Sequence, residues 1–185
     1  HVVARHQQAA VFGAQAAQDL AHLRRAPGEP ADRLHVQFQL PPPQQRELDL
    51  AALVPAVARL EQRMAVQVEP GEPLRVQADP DQLEQALINL LRNAVEASLP
   101  TAGAVLMRWR SEGERALVEI LDEGPGLPGS DNLFVPFFTT KPGGSGIGLA
   151  LVRQIAEAHE GGVSLGAREG RGAIAQLWLP NRTAS

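Results

Sequence analysis

Asn89 and Asn93 stand four residues apart in a run of leucines and alanines, so on a helix their carboxamides share one stripe beside the apolar face. Asparagine is a mediocre helix former, and a carboxamide oxygen is a good ligand for a hard cation. Mg²⁺ suits such a site, because it takes few protein ligands and completes its shell with phosphate oxygens and water. Two solvent-facing amides are the plainer alternative. Further along, Asp122-Glu123-Gly124-Pro125-Gly126 follows a strand that reads Leu117-Val118-Glu119-Ile120-Leu121. An aspartate at a strand end can accept a hydrogen bond from an exocyclic amine, while Gly124 and Gly126 permit positive φ and close approach of a flat base. A surface turn has the same composition. Gly143-Gly144-Ser145-Gly146-Ile147-Gly148-Leu149 then feeds a helix with Val152, Ile155, Ala156 and His159 on one face. Backbone amides at such a helix start form an anion site. A dinucleotide-binding turn would need a strand just before it, and a Walker loop would need Gly-Lys-Ser/Thr after it; the sequence supplies neither.

Two weaker segments complete the set. Three of the five phenylalanines fall within Phe134-Val135-Pro136-Phe137-Phe138-Thr139-Thr140-Lys141, a local hydrophobic cluster that ends on a cation. A cation there can offset the charge of a bound anion, or can simply be solvated. Gly170-Arg171-Gly172 is a turn before the closing run Leu177-Trp178-Leu179-Pro180.

The elements that must position these residues are legible in outline. Asp49 caps a helix reaching about Arg63, and Asp79 caps another that has Pro80 in its first turn and runs to about Ser98. Ala65 to Glu69 and Leu74 to Ala78 read as strands around the turn Pro70-Gly71. Val105 to Arg110 and Ala116 to Leu121 form a hairpin across Glu112-Gly113-Glu114. A helix from Ser145 to about His159 precedes two final strands, Gly162 to Ala167 and Ala173 to Leu179. This order predicts an α+β fold with a layer of helices on one sheet.

Composition narrows the partners. The 185 residues carry a net charge of −4 with scattered Lys and Arg, which argues against nucleic acid. There is no cysteine, and no apolar run is long enough to cross a bilayer. A chain beginning at His1 is expected to be a piece of a longer protein, such as the cytoplasmic end of a membrane-anchored sensor.

Asn89-Leu90-Leu91-Arg92-Asn93-Ala94 resembles the asparagine box of sensor histidine kinases, members of the ATPase group shared by gyrase, Hsp90 and MutL. The later glycine segments resemble that family's boxes in order and spacing. The phenylalanine segment resembles the lid of the nitrogen-regulation-like subclass. The resemblance covers roughly Glu47 to Pro180. It implies a two-layer α/β sandwich of the Bergerat type, a mixed and mainly antiparallel sheet covered on one face by about three helices. It further implies ATP and Mg²⁺ as cofactors. Asn93 would be the metal ligand and Asp122 the reader of the adenine amine. Gly124, Gly126, Thr140, Lys141, Gly144, Ser145, Gly146, Ile147, Gly148 and Leu149 would line the nucleotide, and Asn89 and Lys141 would serve catalysis. Hydrolytic relatives have a glutamate where Asn89 stands, so transfer to a protein side chain is favoured over hydrolysis. Ala173 and Ala175 depart from the threonine and bulky aromatic usual in the last box.

Residues 1–44 are expected to be a helical segment and proline-rich linker, a remnant of a dimerisation region, with residues 45–182 as the ATP-binding domain. His22 has an arginine and a proline at phosphoacceptor offsets, but Leu23 stands where an acid belongs, and too few residues follow for a helical hairpin. The implied partners are a phosphoacceptor histidine domain, a response regulator and a second copy of the kinase, in the cytoplasm. A protein serine kinase or anti-sigma-type switch, and a non-catalytic module, are the alternatives on the same fold.

Overall fold

In the computed structural model, which describes residues 40–127, 133–136 and 146–181, strand β1 (Arg46–Asp49) turns directly into helix α1 (Leu50–Ala58). Asp49 makes that turn, its Oδ1 accepting the Ala51 N–H at 2.9 Å. Leu50, Leu53, Val54 and Val57 are buried beneath it. The helix ends at Ala58, earlier than Arg63. The Glu61 carboxylate takes the Arg63 backbone N–H at 2.7 Å and its guanidinium at 2.8 Å, and this local bonding competes with a further helical turn.

Strands β2 (Val66–Glu69) and β3 (Arg75–Ala78) both form on either side of Pro70-Gly71, yet they do not pair with each other. β3 pairs antiparallel with β1, Arg46 opposite Ala78. β2 lies parallel to β4 (Val105–Glu112), Val66 opposite Val105. Trp109 in β4 accounts for the separation. Its Nε1 donates to the Glu72 carbonyl at 2.9 Å, and a Cβ on Gly71 would overlap its backbone oxygen, so the connecting loop is stitched onto β4.

Helix α2 (Pro80–Ser98) has the predicted bounds. The Asp79 side chain accepts from the Asp81 and Gln82 amides, and Leu83, Leu87, Leu90, Leu91 and Ala94 are buried. β4 and β5 (Arg115–Asp122) form the predicted hairpin, longer at its ends and closed by Gly113 at φ +60°. Helix α3 (Gly148–Ala158), β6 (Gly162–Ala167) and β7 (Ala173–Pro180) complete the chain.

The main sheet has the order β2-β4-β5-β7-β6, with only the β2–β4 pair parallel. This is the predicted α+β layer, a mixed and mostly antiparallel sheet with three helices. Leu53, Leu87, Leu90, Val152 and Ile155 from the helices bury against Val105, Met107, Val118, Ile120 and Leu177 from the strands. Glu119 in β5 is 1% exposed. It accepts from Arg108 Nε at 2.7 Å, Gln176 Nε2 at 2.8 Å and Arg110 Nε at 3.4 Å. Burial works to raise the pKa of its carboxyl, but these donors and the guanidinium charges together hold it below the usual carboxylate value.

Candidate functional site

Asp122 ends β5 and is 7% exposed. Oδ1 accepts the Gly124 N–H at 2.9 Å and the Ala173 N–H at 3.2 Å. No hydrogen bond engages Oδ2 among the described residues, so one carboxylate oxygen is fixed and the other is left to accept. The glycines around it do different jobs. Gly126 has φ +91°, the conformation its type suggests. Gly124 does not need positive φ; a Cβ there would lie 2.8 Å from the Ala97 Cβ and carbonyl oxygen, so it lets this loop pack on α2. Gly172, at φ +97°, lies against the Asp122 carbonyl, and Gly170 has φ +88°.

The same helix carries the asparagine pair. Asn89 is half-buried, and its Nδ2 donates to the Gln85 carbonyl at 3.0 Å. Its Oδ1 lies 3.3 Å from where a Cβ on Gly148 would stand. Thus the start of α3 faces Asn89. Asn93, also half-buried, follows one turn later. α3 begins at Gly148, and Gly146 and Ile147 precede it outside the helix; the predicted start at Ser145 lies outside the described residues. Gly146 sits at φ +65°, Ile147 is the N-cap residue, and no side chain caps the first turn. The first-turn amides of Gly148, Leu149 and Ala150 have no partner within a helix. α2 is therefore the common wall of the site, meeting Gly148 through Asn89 and Gly124 through Ala97.

Thr140, Lys141, Gly144 and Ser145 lie outside the described residues, as do Phe137 and Phe138. Phe134 is half-buried beside Val135, which is 46% exposed.

Several supporting residues escaped the sequence reading. The fully buried Ser98 Oγ donates to the Ala104 carbonyl and accepts the Glu123 N–H, both at 3.3 Å. Thr101 Oγ1 reaches the Glu123 carbonyl at 3.1 Å, and Arg168 Nη1 reaches the Asp122 carbonyl at 3.4 Å. Ser98 and Thr101 look like ordinary helix-end polar residues in sequence, and the Ala173 amide has no side-chain signal at all. Together they pin the strand end that presents Asp122.

These groups fit an adenine nucleotide: an acceptor oxygen for an amine, uncapped amides at a helix start, and carboxamides beside them. Fold and site thus define a nucleotide-binding α+β domain. The model of the histidine kinase-, DNA gyrase B- and HSP90-like ATPases matches residues 78–183, and the chain belongs to that family, whose nucleotide is ATP. Sensor histidine kinase ZraS of Escherichia coli (strain K12) is 39% identical over 107 residues, which are 57% of this chain and 23% of ZraS. Sensory histidine kinase/phosphatase NtrB of Escherichia coli O157:H7 is 39% identical over 95 residues, 45% of this chain and 27% of NtrB. The chain therefore spans only about a quarter of the curated relatives it matches. The solved catalytic domain of histidine kinase ThkA superposes with a TM-score of 0.66 at 30% identity, covering 75% of this chain and 96% of that one. ThkA is also known in complex with the response regulator TrrA, with a TM-score of 0.63 at 28% identity over 74% of this chain and 42% of that one. Among the described residues no helix is long and apolar enough to cross a membrane.

Proposed function

We propose that this chain is the catalytic domain of a sensor histidine kinase, binding Mg²⁺-ATP beside α2 and presenting its γ-phosphate to a histidine. The observation that carries this reading is the state of Asp122: one oxygen is saturated by two backbone amides, and the other is held as an acceptor at the strand end. An adenine amine satisfies that oxygen, and a guanine carbonyl would oppose it. Bound Mg²⁺-ATP supplies the transferable phosphoryl group with its charge partly neutralised. Asn93 would hold the metal, and Gly144, Gly146, Gly148 and the α3 amides would take the phosphates. Thr140, Ser145, Ile147 and Leu149 would line the nucleotide, and Lys141 would steady the transferred group. Asn89 bonds back to its own helix and carries no ionisable group, so it cannot act as a base toward water. Catalysis would then rest on positioning and charge neutralisation.

The reading extends to a division into residues 1–44 and an ATP-binding domain over 45–182. Its partners would be a phosphoacceptor histidine on another segment or chain, a response regulator and a second kinase copy, in the cytoplasm. Incubation with labelled Mg²⁺-ATP and the phosphoacceptor domain tests it. Acid-labile, alkali-stable phosphate on that domain, lost in Asn93→Ala, is the expected result. Acid-stable phosphate would instead indicate a serine kinase on this fold, and no binding of ATP would end the proposal.

A further inference from the structure

His159 is an unexpectedly placed side chain for a helix end: it is 2% exposed and makes two directional bonds. Its Nε2 lies 2.9 Å from the Asp79 backbone nitrogen, and its Nδ1 lies 2.7 Å from the Ile155 carbonyl. A backbone amide can only donate, so Nε2 accepts, and the ring proton sits on Nδ1 and points to Ile155. Asp79 is the N-cap of α2, and His159 is the C-cap of α3. The bond therefore ties the end of one helix to the start of the other.

The two helices also approach closely where Asn89 faces Gly148. From Asp79 to Asn89 is about 15 Å of helix, and from Gly148 to His159 about 16 Å, at 1.5 Å per residue. α2 and α3 thus run antiparallel and are matched at two points, one at the nucleotide site and one remote from it. Between these points the buried face of α3 (Val152, Ile155, Ala156) is apolar, and apolar contact has little directional preference along a helix axis. A hydrogen bond does. Asp79 has a further hold on the chain, since its Oδ2 accepts the Gln44 N–H at 2.8 Å. That places Gln44 on the same residue.

We infer that His159 is a positioning residue for phosphate binding: by accepting the Asp79 amide it fixes the axial register of α3 on α2. That register sets the spacing between the first-turn amides at Gly148 and the carboxamides of Asn89 and Asn93. The inference rests on the nucleotide reading above. It concerns the phosphates and not the base, because Asp122 is anchored by Gly124 and Ala173 and not by α3.

Calorimetric titration of the full chain with Mg²⁺-ATP and with adenosine tests this in His159→Phe and His159→Gln. Phenylalanine fills the space but cannot accept, whereas a glutamine amide oxygen reaches the Nε2 position. Loss of one positioned hydrogen bond predicts ATP binding weakened about 10-fold in His159→Phe, with adenosine affinity changed less than about twofold. His159→Gln should stay near the unmodified protein. Equal losses for ATP and adenosine, unchanged ATP binding in His159→Phe, or a glutamine variant as weak as the phenylalanine one would each overturn the inference. Hydrogen exchange without nucleotide gives an independent reading at Leu151, whose amide bonds Ile147 at 2.9 Å. It should exchange faster in His159→Phe and not in His159→Gln; unchanged protection in both would count against the tie. Should the unmodified chain bind neither ligand, the nucleotide assignment fails and exchange alone decides the register.

Discussion

Gly172 and Asp122 meet backbone to backbone: a methyl group on Gly172 would overlap the Asp122 carbonyl oxygen. Gly172 also holds φ +97°, which L side chains rarely adopt. Gly172→Ala is expected to cost about 2–4 kcal/mol, through strain and displacement of the β5 end. Gly126 shares the backbone conformation, but its nearest neighbour stands 3.7 Å from a new Cβ. Gly126→Ala should cost only about 1–2 kcal/mol. Thermal unfolding of the two variants side by side separates the clash from the conformation.

Asp122→Asn keeps an oxygen for the Gly124 and Ala173 amides but turns a donor toward the adenine amine. Folding stability should change little, while ATP affinity falls about 10- to 100-fold. A variant that bound ATP normally would show that Asp122 does not read the base.

Glu119 governs part of the acid stability. Its folded pKa is depressed by Gln176, Arg108 and Arg110 against the opposing effect of burial. A depressed folded value means stabilisation that is complete above the unfolded pKa, at about 4.5, and is lost as pH falls through the folded one. Glu119→Gln should therefore be less stable at neutral pH and show a shallower loss below about pH 4.5. Urea unfolding across that range checks both slopes.

Asp79→Ala removes the oxygens that accept the Asp81, Gln82 and Gln44 amides. Loss of the cap should cost about 1–2 kcal/mol. Release of Gln44 should also make residues 40–45 more sensitive to limited proteolysis than in the unmodified chain.

The features that sequence reveals here are those whose cause is local. Asp79 and Pro80 mark the start of α2 because a cap and a fixed φ act within one turn. The β4–β5 hairpin is legible because Gly113 closes it across adjacent residues. The pairing of β2 with β4 and of β3 with β1 was not legible, because it depends on Trp109 reaching Glu72 across 37 residues. The site divides in the same way. Asn89, Asp122 and Gly148 stand out by type and spacing, and the structure brings Asn89 and Gly148 face to face. The type of Gly124 suggests room for a base, and the structure adds that its missing side chain makes room for Ala97. The roles of Ser98, Thr101 and His159 appear only once distant segments meet.

The hold of Ala173 on Asp122 has an evolutionary corollary. A peptide nitrogen is common to every residue except proline, so a change of side chain at position 173 leaves this hydrogen bond to Asp122 available. The last glycine box can drift from its family pattern there, and the adenine preference proposed for Asp122 should survive any drift that spares the N–H.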